Sequence, residues 1–476
     1  MPTRLPLELI EQDYSNAGSP LLHLSSSLLK ESFELPMPPP NITGRLHLGH
    51  ALDLSLQDTI IRAYASRGAE TKWTPGCDHA GIATHEKIMA ELSLTELPLS
   101  ATDMSRYEIK AESWTDEHRK IIMKQFKALN PHASWSDERF TLDSRYYKTC
   151  REALSQFGKA GKLSLKNGSL FLNLTKEARE MIGAIERGEL EIHPESHKNR
   201  LIKMLQEDRE WDIGRTIPWG HKFSFAGFPA EITDGNSGQQ FTMDTWFSSG
   251  LWPTAIPDNP LRGFDGLIIG YDILFFWAAR MWMMHYALHG LAPFKKIHLH
   301  GLIRDAQGRK FSKSLGNGID PLDLIKSHGS DTLRIWCLEH AAWGRDFKFD
   351  PSNFQKSGML LTKMLNASRL ILSSELLAED DIKIIENLPS EIDWDEMEAE
   401  LFKKIKDFDL ENAWKYIRTA CWSEWCEGWL AKNKTGFNDP EILGKAIAGQ
   451  KRLLQMLHPF APASTWWISQ KINGII

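Results

Sequence analysis

Apolar positions recur along the chain at two spacings, and the changes between them mark the predicted elements. Leu48, Leu52, Leu56 and Ile60 fall at steps of four, on one face of a helix that closes at Gly68. FELPM (33–37) before it reads as a short strand. PPPNITG follows, where three prolines forbid helix and impose an extended approach, and Gly44 permits a tight turn. TKWTPG (71–76) reads as the next strand, which completes a strand–loop–helix–strand unit. Charged helical runs then occupy 100–130 and 143–161. A turn at KNGS (166–169) leads into the apolar SLFLNL and a further helix over 175–188. LIIG (267–270) returns to strand, a helix follows from Asp272 to His289 and stops at Gly290, and KKIHLHGL (295–302) is strand again.

The α/β alternation thus stops near residue 91 and resumes near 256. A Rossmann-type parallel sheet split by an inserted segment explains that order. Beyond Asp350 the pattern is helical throughout. Leu410, Ala413, Trp414, Ile417 and Cys421 form one stripe, and Leu443, Ile447, Leu454 and Leu457 another, as core faces of a helical bundle require. Ten acidic residues and one Lys between Glu379 and Glu400 read as a solvated connection. The fold class is therefore α/β followed by an all-α bundle. Its predicted divisions are an N-terminal extension (1–34), the first half of the α/β domain (35–90), a connecting insertion (91–255), the second half (256–350) and the bundle (351–476).

Composition narrows the function classes. The chain has 476 residues, 42% apolar and 25% charged, with a formal net charge of −6. That is ordinary for a globular protein and excludes a general polyanion binder, so any nucleic-acid contact needs a local basic face. The five cysteines form no CxxC pair. Neither a disulfide framework nor structural zinc is expected, and a reducing, cytoplasmic setting fits. The apolar window from Gly266 to Leu291 carries Asp272, Arg280 and two histidines. Charges inside a membrane span are costly, so it reads as buried strand and helix, with no membrane partner.

Two short motifs carry chemistry. His47-Leu48-Gly49-His50 follows the proline-rich strand end and opens a helix, so both imidazoles share the first turn, where unpaired backbone N–H groups attract anions. Lys310-Phe311-Ser312-Lys313-Ser314 lies among Gly308, Gly316 and Gly318, in a predicted mobile loop whose two lysines can reach a polyphosphate. Taken singly, the first is a tetrapeptide that chance supplies and the second a solvated loop. Together, with a helical region behind them, they form one constellation.

On these residues the chain resembles the class I aminoacyl-tRNA synthetases, and among them the valyl-tRNA synthetases. The matching stretches are PPPNITGRLHLGHA (38–51), GCDHAGIAT (76–84), DTWFSSGLWP (244–253), GYDILFFWAARM (270–281), HGLIRDAQGRKFSKSLGN (300–317) and GRDFKFD (344–350), with LNASR (365–369) and LHPFAP (457–462) in the helical part. The resemblance implies a Rossmann catalytic domain, an anticodon-binding helical bundle, ATP with Mg²⁺, a valine-like amino acid and tRNA, with no DNA. It implies that the amino acid is activated as an adenylate and then transferred to tRNA. His47, His50, Lys310 and Lys313 would be the catalytic groups around the phosphates. Gly49, Gly270, Asp272, Ser312 and Ser314 would hold ATP, although Asp272 is as readily a helix N-cap. Asp78 would take the α-ammonium group, and Pro40, Asn41, Trp246, Ile273 and Trp277 would wall the side-chain pocket. As bare residues, the two tryptophans would more often be core; the local matches around both favour the pocket.

The chain also departs from that family. KLSLKNGSLFLNL (162–174) passes through a short turn where the family inserts its large editing domain, and no Thr-Thr-Arg-Pro-type motif occurs, so neither that domain nor the C-terminal coiled-coil arm is expected. Gly214, Thr216 and Pro218 stand where Ser, Gln and Trp are usual, and Phe311 where Met is usual. From Pro351 to Ile476 there are 15 Lys and Arg against 18 Asp and Glu, which gives no basic footprint for an anticodon stem. Three readings stay open: a tRNA-charging enzyme without its own editing domain, a paralogue that hands its activated amino acid to another acceptor, and a non-catalytic RNA-binding relic.

Overall fold

The computed structural model describes residues 1–24, 29–166, 168–207, 209–224, 240–311, 317–378 and 385–474. Helix α1 (Leu7–Asn16) precedes strand β1 (Ser32–Glu34), and α2 (Leu48–Ser66) leads to β2 (Glu70–Lys72), which pairs in parallel with β1. The expected strand over 71–76 is broken. Pro75 has no N–H to give to a ladder, and a separate strand β3 (Gly76–Cys77) pairs in parallel with β4 (Arg139–Phe140). Between them lie α3 (Gly81–Leu92) and α4 (Ala101–Ala128).

Helix α5 (Ser144–Lys159) leads into the hairpin of β5 (Leu163–Lys166) and β6 (Ser169–Leu172), followed by α6 (Thr175–Glu186), β7 (Glu191–His193) and α7 (Ser196–Glu207). Short strands β8 (Trp211–Asp212), β9 (Gly214–Arg215), β10 (Lys222–Ser224) and β11 (Gln240–Met243) precede α8 (Thr245–Ser249). Then β12 (Leu267–Gly270) and β13 (Lys296–His300) pair in parallel, and β7 joins β13 from the insertion, giving the order β12–β13–β7. The segment between β12 and β13 is not one α-helix. It runs as a 3₁₀ turn (Tyr271–Ile273), a π-helical stretch (Leu274–Ala279) and α9 (Arg280–His289), which Gly290 ends at φ +69°.

The rest is helical: α10 (Pro321–His328), α11 (Ser330–Glu339), α12 (Met359–Ile371), α13 (Trp394–Lys406), α14 (Leu410–Thr419) with a π-helical continuation to Leu430, α15 (Pro440–Leu457) and α16 (Pro462–Asn473). Both predicted stripes in this region are buried. The acidic stretch is not wholly a connection. Its described end folds into α13, where Glu398 is 3% exposed and ion-paired to Arg67 at 2.8 Å and to Arg452. Residues 379–384 lie outside the described residues.

Two apolar cores result. One joins α1, α2 and α4 to the helices beyond residue 350; the other joins α5, α6, the hairpin and α9 to β12 and β13. Helix α2 is buried on every side from Leu54 to Ser66, beyond the one face its leucine period predicted. Several of its polar side chains find partners: Ser55 and Thr59 donate to carbonyls one turn back, and Gln57 bridges Asp53, the Ile268 carbonyl and the Trp73 indole. Among the described residues no helix is long and apolar enough to cross a membrane.

Candidate active site

The first turn of α2 is built by its own histidines. His47 is the N-cap, and its Nδ1 accepts the Gly49 N–H at 3.0 Å, while His50 Nδ1 accepts the His47 N–H at 3.1 Å. This reciprocal cap uses imidazoles where Ser and Glu are usual. It also corrects the expectation of open N–H groups, because the Gly49 donor is already taken. What the turn offers an anion is different. With Nδ1 of each ring an acceptor, the proton of each neutral imidazole sits on Nε2, so both rings present a side-chain donor, their centroids 4.0 Å apart. Gly49 is required for this. A Cβ there would stand 2.8 Å from His47 Cε1.

One contact chain joins this turn to the second motif. Asp53, one turn beyond His50, pairs with buried His300 on β13 at 3.3 Å. The partnership raises the His300 pKa against the opposing effect of burial, and burial raises that of Asp53. His300 lies beside Gly270, where an added Cβ would come within 3.4 Å of its ring and 2.7 Å of Asp272 Oδ1. Asp272 Oδ2 in turn meets Lys310 Nζ at 3.2 Å. Asp272 sits within the 3₁₀ turn and does not cap it; Gly270 holds that position. Thus Gly270, Asp272 and Lys310 are together at the end of β12. Ser312, Lys313 and Ser314 lie outside the described residues.

The proposed amino-acid residues assemble on the other side of the proline segment. Asn41 and Asp78 form a parallel bridge, in which the Pro40 carbonyl accepts the Asp78 N–H at 2.9 Å. The Asp78 carboxylate is buried, and Oδ1 accepts from Ala80 N and Thr245 Oγ1, both at 2.7 Å, and from Thr141 Oγ1 at 3.4 Å. Burial raises its pKa, and these hydrogen bonds oppose the rise. Thr245 opens α8, which carries Trp246. At the far end of α8, the Ser249 carbonyl accepts the Trp277 indole N–H at 3.1 Å. Trp277 is 2% exposed, while Ile273 and Trp246 are half-buried. Asp78, Trp246 and Trp277 therefore meet through α8. A cavity of about 590 Å³ opens on the outer side of Trp246, against Trp211, Phe276 and Arg280, and does not reach the histidines.

Sequence reasoning missed Asp53, His300, Thr141 and Thr245. His300 and Thr245 stand within stretches that carry the resemblance, at positions it gave no role; Asp53 and Thr141 stand in neither motif, and packing brings all four to the site. Among the described residues no three His, Cys, Asp or Glu side chains gather to hold a metal ion.

Residues 22–186 and 232–350 match the family of tRNA synthetases class I (I, L, M and V). The chain belongs to this family. The class I synthetase described here is 25% identical to the valine–tRNA ligase of Thermotoga maritima, over 93% of this chain and 76% of the relative. It is equally identical to that of Clostridium acetobutylicum, over 94% and 76%. The former alignment runs over 670 positions, more than this synthetase contains, so the relatives carry long stretches without a counterpart here. Its fold is that of Mycobacterium tuberculosis methionyl-tRNA synthetase in complex with methionyl-adenylate, with a TM-score of 0.72, 17% identity, and 92% and 93% of the two chains covered. The Agrobacterium radiobacter LeuRS in a ternary complex with tRNA and LeuAMS superposes with a TM-score of 0.70 at 14% identity, over 99% of this chain and 89% of that one. The synthetase is thus a ligase with an α/β catalytic fold and a helical region.

Proposed function

We propose that this synthetase activates valine as valyl-adenylate and transfers it to tRNA. The observation that supports the reading is the contact chain from the two-histidine turn through Asp53, His300 and Gly270 to Asp272 and Lys310. In the reaction, the amino acid's carboxylate oxygen attacks the α-phosphorus in line. The new O–P bond forms as the bond to the bridging α–β oxygen breaks, and pyrophosphate leaves with that electron pair. The carboxylate is already ionised, so no general base is needed. His47 and His50 donate from Nε2 to phosphate oxygens, and Lys310 with Lys313 neutralises the charge that builds on the leaving group. Asp272 accepts from the ribose hydroxyls, and Gly270 lets the nucleotide lie close to the strand. Mg²⁺ would arrive with ATP, since it keeps phosphate and water ligands.

Valine is favoured by the walls. Trp246, Trp277, Pro40 and Ile273 would wall a pocket for a small branched side chain, as the resemblance implies, and one methylene more or less costs ~1–3 kcal/mol. Asp78 accepts from the α-ammonium group. The test is pyrophosphate exchange over a panel of amino acids, followed by charging of total tRNA. Valine-dependent exchange with valyl-tRNA formation is expected. Equal activation of isoleucine and valine would overturn the pocket, and absence of exchange with every amino acid would overturn the enzyme. The alternative acceptor draws on the acidic balance of residues 351–476, and exchange without charging of any tRNA would select it.

A further inference from the structure

A buried polar group beside the ammonium site has no role in the reading above. Thr141 is completely buried, immediately after β4, and its hydroxyl lies between Asp78 and His79. Thr141 Oγ1 accepts the His79 backbone N–H at 3.0 Å and contacts His79 Nδ1 at 2.7 Å, with Asp78 Oδ1 at 3.4 Å on its third side. A hydroxyl has one proton and two lone pairs, so all three contacts are satisfied in one arrangement only. His79 Nδ1 must carry the ring proton and donate it to Thr141, and Thr141 then donates to Asp78.

Two further observations fix that tautomer. His79 Nε2 is buried with no hydrogen-bond partner. A bare acceptor there is tolerable, but an unpaired N–H would be costly. His79 Nδ1 also stands 3.5 Å from Asp78 Oδ1, where a proton faces a carboxylate. Desolvation pushes the His79 pKa down to about 3, so the ring is neutral and carries a single proton. The arrangement is clamped from the insertion: Trp219 Nε1 donates to the His79 carbonyl at 2.8 Å, and His221 Nε2 pairs with the Thr141 carbonyl. The clamp comes from IPWGHK (217–222), in the stretch that departs from the family's usual residues.

We propose that Thr141, locked by His79, is a positioning residue for the amino-acid α-ammonium group. It acts through Asp78. The donors from Ala80, Thr245 and Thr141 all converge on Oδ1 and hold the plane of the carboxylate, so that Oδ2 would meet the substrate. This inference rests on the assignment of Asp78 as the ammonium acceptor. Removal of the hydroxyl leaves the carboxylate less well held, and the loss falls on ligands that carry an ammonium group.

The experiment compares two competitors of valine in pyrophosphate exchange. Valinol has the ammonium group without the carboxylate, and 3-methylbutanoate has the carboxylate without the ammonium group. In Thr141→Val the inhibition constant of valinol and the KM for valine should each rise about tenfold, as for a lost hydrogen bond to a charged group. The constant for 3-methylbutanoate and the KM for ATP should stay within about twofold. Thr141→Ser should restore the wild-type values, and His79→Leu should reproduce Thr141→Val, whereas His79→Asn keeps a donor near the Nδ1 position. Equal weakening of both competitors would assign Thr141 a structural role only, and no change in either would remove it from the site; either result overturns the proposal. Asp78→Asn separates the two levels. If it weakens valinol while Thr141→Val does not, the positioning role alone falls. If it leaves valinol unaffected, the Asp78 assignment falls with it.

Discussion

At the scale of single residues, the most exacting position is Gly49. Its N–H holds His47 in place, and there is no room for a Cβ beside that ring. Ala is a better helix former than Gly, so Gly49→Ala should leave the melting temperature within a few degrees of wild type. The displaced imidazole should nonetheless cost at least about tenfold in exchange rate. A stopped-flow or exchange assay beside a thermal melt separates the two effects, and full activity in the variant would remove the cap from the catalytic argument. Glu34, on β1, makes a different prediction. Its carboxyl is nearly buried, with Lys72 and Arg262 as the nearby cations, the latter at 3.9 Å. Desolvation pushes its pKa from 4.5 up to about 7. The folded chain therefore binds this proton more tightly than the unfolded chain does. The associated stability is complete below about pH 4.5 and is lost as pH rises to about 7, roughly 3 kcal/mol at most. Glu34→Gln should flatten that part of the stability profile and melt higher than wild type at pH 8.5. Denaturant titrations at pH 5 and 8.5 measure this, and an unchanged pH slope would contradict it.

At the scale of elements, the hairpin of β5 and β6 matters most. Its register pairs Lys166 with Ser169, so only positions 167 and 168 separate the strands. That connection stands where the resemblance expects an inserted editing domain. A hydrophobic pocket discriminates poorly against a side chain that only exchanges a methyl for a hydroxyl. The known figure is ~100-fold and comes from valyl-tRNA synthetases themselves. If tRNA is the acceptor, threonine should be mischarged at high threonine, and the purified chain should not hydrolyse pre-formed Thr-tRNA. Rapid deacylation would reveal an editing site elsewhere in the chain. The segment between β12 and β13 shows how an element can differ from its period while serving the same residues. The expected helix has its π-helical stretch at Leu274–Ala279, and there Trp277 bonds the end of α8. Such stretches recur at functional sites.

At the scale of the whole molecule, α2 is the axis on which the first core and the bundle meet. Asp58, fully buried, pairs with Arg62 at 2.7 Å on its own helix and with Arg334 on α11 at 2.6 Å, and accepts the His132 N–H. Arg334 continues to the Pro459 carbonyl between α15 and α16, and Arg62 to Tyr14 of α1. The two guanidiniums hold the Asp58 carboxyl below its ordinary pKa in spite of its burial. Asp58→Asn would leave two buried cations short of a counter-charge. It should cost about 3–5 kcal/mol, read in equilibrium unfolding, and loosen the bundle against α2. A loss under 1 kcal/mol would show that water reaches this cluster.

Local chemistry was legible in the sequence. The prolines that force an extended approach, the leucine period of α2, the strand LIIG, the stripes of the bundle and the two-histidine turn depend on residues within a few turns of one another, and the structure has each of these elements. The tertiary structure decided what those elements hold. Thr245 reaches Asp78 across 167 positions, and Lys310 reaches Asp272 across 38. Asp53 and Thr141 belong to the candidate site through such contacts alone. It also decided that α2 is buried all round, that Glu398 leaves solvent for an ion pair, and that the Gly49 N–H serves a neighbouring imidazole. Spacing encodes which face a side chain occupies on its own element. What covers that face, and whether a polar group there finds a partner or is desolvated, is set by segments far away in sequence. Burial and pairing are properties of the packed chain, and these decide which residues complete the site.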